Sequence, residues 1–324
     1  MQFVCPQCKG ELRQFADCYT CHACSRTYPV ISGIPDFRLI PDPYIGIEQD
    51  RAKGLTLLEE GRTRGFEGLL HYYYAVTPED PPDLALRWTR RALADVEIAR
   101  GILATYNIAR QTGPFLDLGC STGAMLAAAG NEGRFVVGVD VAFRWLAVGS
   151  IRLQELGIQN TLVCANAEHL PFAEGTFEGL TAIDLLEHTR EPLSALQEAH
   201  RVSRKGARAL WITNNRYTPL PDPQVQLWGV GLLPRSWQAR YVAYRRHDLH
   251  NYQVKMIGAR ELTSLCRRAG YTSVRTGPAP LYGPHLRGKI LTGALRAYNR
   301  LIYVPGIREL VRLVGPKLAA VVER

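Results

Sequence analysis

The chain has 324 residues, 46% of them hydrophobic and 21% charged, which excludes disordered and fibrous classes and accommodates one large domain plus an accessory one. The longest apolar runs are broken well short of the roughly 18 residues a membrane span needs, and residues 1–4 lead into cysteines rather than a signal peptide. The net charge of +9 is uneven, because residues 1–215 hold 21 Lys and Arg against 25 Asp and Glu, whereas residues 216–324 hold 18 against 5. A cytoplasmic location is expected, with the inner face of the membrane as a candidate docking surface.

Five of the eight cysteines fall within residues 5–24. Cys5-Pro6-Gln7-Cys8 and Cys21-His22-Ala23-Cys24 form two Cys-x-x-Cys knuckles, each able to aim two thiolates at one tetrahedral zinc. So short a segment has too little core to fold without such help. Cys18-Tyr19-Thr20-Cys21 is an alternative second knuckle. Cys21 and Cys24 are preferred because of the residues just after them, Tyr28-Pro29-Val30 and then Gly33-Ile34-Pro35. Over residues 3–40 this pattern resembles the zinc-ribbon family of small tRNA-methyltransferase activator proteins, so residues 1–40 are expected to form a zinc ribbon.

Residues 41–110 show helical spacing, as in Leu84, Trp88, Leu93, Val96 and Ile98, and are expected to be a helical connector divided by Pro78, Pro81 and Pro82. From Phe115 short apolar runs alternate with helical ones. Strands are predicted at 115–118, 135–141, 161–165, 180–184 and 207–213, with helices between them, and a last strand at 318–323. That order predicts an α/β fold with a doubly wound, Rossmann-like sheet over residues 111–324.

The first strand runs into Asp117-Leu118-Gly119-Cys120-Ser121-Thr122-Gly123, whose small residues allow a sharp turn against a ligand at a helix N-terminus. The next strand ends in Asp140, about 20 positions on, where a carboxylate meets the ribose hydroxyls of a nucleoside cofactor. Ser121 stands where a dinucleotide loop carries its second glycine, and no third glycine completes the pattern, so NAD is not expected.

Residues 113–213 resemble the class I S-adenosylmethionine-dependent methyltransferases, particularly the quinone-biosynthesis and small-molecule group. The resemblance rests on Asp117, Gly119 and Gly123 in the glycine motif, Asp140 at the ribose position and Asn166-Ala167 at the adenine position. Leu170-Pro171-Phe172 with Phe177, and Leu186-Glu187-His188 after the fourth strand, extend it. It implies S-adenosylmethionine as cofactor, with Ser121 and the strand-closing Asp184 in the binding set. The sequence departs from the family at Ser121, Asn166 and Glu178; Asn166 is still expected to accept from the adenine amino group through its carbonyl oxygen.

Methyl transfer from a sulfonium needs mainly alignment, and a base only for hydroxyl or carbon acceptors. His188 is the first candidate for a proton-accepting or substrate-facing role, with a loop-orienting histidine as the alternative; His247 and His250 are further candidates. Residues 214–256, rich in aromatic and cationic side chains, are expected to cover the acceptor, and residues 288–314 to form a basic amphipathic segment. Three functions are compatible with this reading: a methyltransferase acting on an anionic or lipid-linked small acceptor such as a glycan or quinone-like precursor, an RNA methyltransferase, or a non-catalytic zinc-ribbon scaffold.

Overall fold

Both cysteine knuckles close in the same way, which sets the geometry of the N-terminus. The carbonyl of Cys5 accepts from the Lys9 N–H (2.8 Å) and that of Cys21 from the Ser25 N–H (3.0 Å), with Lys9 and Ser25 both at positive φ. In the computed structural model, which describes residues 1–77, 82–108, 113–131, 133–247, 252–282 and 289–324, the knuckles sit on a small antiparallel sheet. Its strands are β1 (Leu12–Gln14), β2 (Cys18–Cys21), β3 (Thr27–Ile31) and β4 (Ile34–Pro35), in the order β1-β2-β3-β4.

Two long helices come next, α1 (Ile47–Ala75) and α2 (Pro82–Tyr106). Gly65 breaks α1 at φ 65°, and the N–H of Phe66 thereby freed donates to the Glu155 carboxylate at 2.9 Å. Glycine is required there for the backbone angle, φ 65° with ψ −178°, while a side chain would only have to displace the tip of Glu155, 2.6 Å away.

The α/β unit is built from β5 (Phe115–Leu118), α3 (Ala124–Gly130), β6 (Val136–Asp140), α4 (Phe143–Glu155), β7 (Asn160–Cys164), β8 (Phe177–Ile183), α5 (Pro192–Val202) and β9 (Ser203–Asn214). Then come α6 (Arg235–Arg245), α7 (Ala259–Arg268), β10 (Ser273–Pro278), α8 (Lys289–Leu301), α9 (Pro305–Val314) and β11 (Lys317–Glu323). The seven strands lie in the order β10-β11-β9-β8-β5-β6-β7, and only β11 runs antiparallel to its neighbours. Apolar runs such as Leu116, Leu118, Val137 and Val139 are buried because helices flank the sheet, the doubly wound arrangement expected. The chain runs outward from β5 to β6 and β7 and returns to β8, which opens a crevice at the carboxyl ends of β5 and β8.

The ribbon is welded to this sheet. Phe37 N–H donates to the Cys164 carbonyl at 2.7 Å, extending the β7 edge by one short parallel bridge, and Val4 N–H donates to the Pro171 carbonyl at 3.0 Å. Phe3, Tyr19, Tyr28, Phe37 and Phe172 stack with ring centroids 5.1–5.8 Å apart, and Cys5, Cys21 and Phe37 share a core with Val137 and Val163. Behind them a buried ionic cluster joins ribbon, connector and α4. Arg38 donates to Asp36 (2.6 Å) and Asp50 (2.6 Å), and Arg144 donates to Asp50 (2.8 Å) and Asp42 (3.0 Å).

The tyrosines Tyr73 and Tyr74 pack on Trp145, and Tyr74 also on Trp88. Residues 225–256 hold a small core of their own, Val225, Leu227, Val230, Val242, Val254 and Met256. Among the described residues no helix is long and apolar enough to cross a membrane.

Candidate cofactor and acceptor site

The loop after β5 is pinned to β6, since Gly119 and Cys120 N–H groups both donate to the Val139 carbonyl, at 2.7 and 3.0 Å. Gly119 and Gly123 take positive φ, and so does Ser121, at 45°, the conformation that glycine adopts most readily. Ser121 is held there by Asp140, whose carboxylate accepts from the N–H groups of Ser121 and Ala142, each at 2.8 Å. Asp140 therefore locks the loop as well as lining the crevice. Burial pushes its carboxyl up, and the two N–H donors oppose that shift.

Asp117, at the centre of the sheet, accepts from the Thr181 hydroxyl at 2.7 Å. Burial raises it to about 7 against the Thr181 hydrogen bond, with the nearby Asp140 charge adding to the rise.

A cavity of about 500 Å³ extends from Gly119, Ser121 and Asp140 past Ala167 to Asp184 and His188. Its size is in the range of small-molecule sites, roughly 300–1,000 Å³. Asp184, just beyond β8, takes φ 54° and is not a free carboxylate: both its oxygens lie 2.6 Å from Lys317 Nζ, and Arg91 is 3.0 Å away. Burial alone would raise its pKa; Lys317 and Arg91 hold it below the usual carboxylate range.

His188 caps a single tight turn, Leu186–His188, and its Nε2 lies 3.2 Å from Gln224 Nε2. Gln224 is presented by a turn in which the Asp222 carboxylate accepts from the N–H groups of Gln224 (2.8 Å) and Val225 (3.2 Å) and from the Tyr252 hydroxyl (2.6 Å). The buried Glu187 accepts from the Thr213 hydroxyl (2.8 Å) and the Asn214 amide (2.7 Å), fixing the Asn214 carboxamide at the cavity wall. His188, Gln224, Asn214 and Lys317 thus converge at the end of the cavity away from the glycine loop.

Three expectations need correction. Asn166 lines the cavity, but its carbonyl oxygen accepts from the N–H groups of Leu39 (2.9 Å) and Ile40 (3.1 Å), and its amide donates to the Ile40 carbonyl (3.0 Å). Both lone pairs are occupied, so the side chain clamps the ribbon's exit instead of meeting an adenine amino group. His247 is exposed just beyond α6 and away from the cavity wall, while His250 lies outside the described residues. The segment expected to cover the acceptor contributes Asn214, Pro223 and Gln224, but Tyr217, Trp228, Trp237 and Tyr244 face solvent.

Sequence reading missed Lys317, Arg91, Asn214 and Gln224, and also Ile40–Tyr44, which bring the ribbon's exit into the cavity wall. Lys317 meets Asp184 through the order of strands in the sheet, which sets β11 beside β9 and is not read from the chain order.

The Sγ atoms of Cys5, Cys8, Cys21 and Cys24 all lie within 4.8 Å of one another, with Cys5–Cys24 at 3.6 Å and Cys8–Cys21 at 3.5 Å. Cys18 is outside this group, which decides between the two alternative knuckles. A tetrahedron with metal–sulfur bonds of about 2.3 Å has sulfur–sulfur edges of about 3.8 Å, so the four thiols suit one tetrahedral metal.

Residues 116–211 match the methyltransferase domain family. The ubiquinone biosynthesis O-methyltransferases of Escherichia fergusonii and Escherichia coli are 26% identical to the chain over 156 residues, 47% of this chain and 62% of theirs. The chain thus spans less than two thirds of the length of these relatives. Among solved structures, phosphoethanolamine N-methyltransferase 2 of Haemonchus contortus superimposes with a TM-score of 0.49 at 15% identity, covering 70% of this chain and 52% of that one. A methyltransferase of Archaeoglobus fulgidus does so with a TM-score of 0.45 at 14% identity, covering 71% and 94%. The matched span runs from β5 into β9 and contains the glycine loop, Asp140 and His188. Residues 116–211 of this chain thus form a methyltransferase domain.

Proposed function

We propose that the protein transfers a methyl group from S-adenosylmethionine to a small, anionic or lipid-linked acceptor, with one zinc ion in the N-terminal ribbon. The observation that carries this reading is the continuous cavity joining the glycine loop and Asp140 to His188, Gln224, Asn214 and Lys317. The first set suits a nucleoside, since the Asp140 carboxylate at the cavity wall can accept from ribose hydroxyls and Ala167 offers an apolar wall. The second suits an acceptor with a polar or anionic group, because the two cations Lys317 and Arg91 outnumber the one carboxylate, Asp184, that pairs with them, and His188 can take a proton from a hydroxyl. Bound S-adenosylmethionine supplies a methyl group on a charged leaving group; the residues here then need only orient the acceptor, exclude water and hold the released proton. The named activity of the Escherichia relatives makes phenolic quinone precursors the first acceptors to try.

Calorimetric titration of zinc-replete protein with S-adenosylmethionine, S-adenosylhomocysteine and NAD tests the cofactor. Micromolar binding of the sulfur nucleosides alone is expected, and absence of binding would favour the scaffold reading. Methyl transfer is then assayed on phenolic quinone precursors, lipid-linked saccharides and RNA, and turnover on RNA alone would displace the small-acceptor reading. Metal analysis should return one zinc per chain, lost when Cys8 and Cys21 are replaced by serine.

A further inference from the structure

Helix α9 has no buried residue, although its pattern is strongly amphipathic. Ile307, Leu310 and Val314 have the three- and four-residue spacing that puts side chains on one helix face, and all are exposed, Leu310 by 60%; Tyr303, just before the helix, is 63% exposed. The helix meets the sheet through another face, where the Arg308 guanidinium lies over Gly277 of β10. Its apolar stripe is therefore turned away from the core, the reverse of a helix that covers a sheet.

The segment that carries the stripe is basic, although Arg308 faces the sheet and Arg312 pairs with Glu309 at 2.8 Å. Residues 289–314 contain five Lys and Arg against one acidic residue, and Arg296 and Arg300 on α8 are exposed. We propose that this face of α8–α9 docks on an anionic lipid bilayer, with the stripe entering the headgroup boundary and the arginines meeting lipid phosphates. An apolar stripe with flanking cations matches a surface that is apolar beneath and anionic above. A second copy of the chain matches it poorly, because a two-fold contact would set each cluster of arginines against its own image.

The placement also bears on the cavity. Asn215, next to the cavity-lining Asn214, donates through Nδ2 to the Leu313 carbonyl at the end of α9 (3.1 Å). Lys317 reaches the cavity from three residues beyond the helix. Docking through α9 would hold the acceptor end of the cavity near the lipid surface. The docking itself stands independently of the methyl-transfer reading.

The full-length, zinc-replete protein is sedimented with vesicles of phosphatidylcholine alone and of phosphatidylcholine mixed equally with phosphatidylglycerol. Binding to the anionic vesicles only, weakened by salt, is expected, and Leu310→Glu should lower partitioning by about tenfold or more. Leu156→Glu, at an exposed apolar position after α4, should bind as the unaltered protein does. Equal binding to both vesicles, undiminished binding by Leu310→Glu, or a dimer in light scattering that Leu310→Glu dissociates would each overturn the proposal. Circular dichroism melting of both variants excludes misfolding as the cause, since neither side chain is buried.

Discussion

At the β7 edge of the sheet the chain covers itself: Phe37 extends the edge, aromatic rings fill the space beneath, and Asp36, Arg38, Asp50 and Arg144 interlock out of contact with water. At the β10 edge α9 lies across the strand on an arginine and presents apolar side chains to solvent. The same ingredients, arginine and apolar side chains, are inside at one edge and outside at the other. Burial with matched partners makes the first edge costly to disrupt, whereas exposed apolar side chains leave the second available for binding. The cavity lies between and draws on both, taking Asp42 and Tyr44 from the ribbon side and Lys317 from the other.

The largest expected effect is at the covered edge. Asp50 accepts from Arg38, from Arg144 and from the Phe143 N–H (2.7 Å), so Asp50→Ala leaves two guanidinium groups buried with less compensation. A loss of about 4 kcal/mol in unfolding free energy is expected, within the usual range for breaking a buried ion pair. Chemical denaturation measures it, and a loss below about 1 kcal/mol would mean that the cluster is hydrated rather than sealed.

Next is the cavity floor. Asp140→Ala removes the charged acceptor for the Ser121 and Ala142 N–H groups together with the proposed ribose contact, and should weaken S-adenosylhomocysteine binding by about 3 kcal/mol, more than a hundredfold in Kd. Affinity unchanged on calorimetry would remove Asp140 from the cofactor site.

Asp117 gives a smaller, pH-dependent effect. With its folded pKa raised from 3.8 to about 7, this carboxyl is largely protonated in the unliganded protein below pH 7, and ionising it costs stability progressively as pH rises from about 4 toward 7. A cationic cofactor favours the ionised form. S-adenosylmethionine affinity should therefore rise by up to about tenfold per pH unit as pH approaches 7 and level off above it. Asp117→Asn should flatten this profile, and a flat profile in the unaltered protein would refute the assignment.

How much the sequence disclosed depends on the range of the interactions. The α/β alternation, the glycine loop and the cysteine knuckles are local patterns, and each states its geometry within a few residues. Pairs such as Asp184–Lys317, 133 positions apart, and Asn166 with Leu39, 127 apart, are set by strand order and by the ribbon's docking. Asn166 is instructive because its position relative to β7 was legible while its role was not: the main chain of residues 39 and 40 occupies the atoms that a cofactor would need. The outward face of α9 was hidden for a related reason. Periodicity reveals that a helix has an apolar stripe but not whether the fold supplies something to cover it.

The smallest expected effect concerns that stripe. Because Leu310 is exposed, Leu310→Glu should change the unfolding free energy by less than about 0.5 kcal/mol, as surface substitutions do, although it replaces a large apolar side chain with a charge. At the covered edge the corresponding change, Phe37→Ala, removes a fully buried ring and should cost about 3 to 5 kcal/mol. Measured side by side in denaturant, the two variants separate residues that hold the fold from residues that face a partner. A loss of several kcal/mol for Leu310→Glu would show that α9 packs with its apolar stripe inward, and the contrast between the two edges would then collapse.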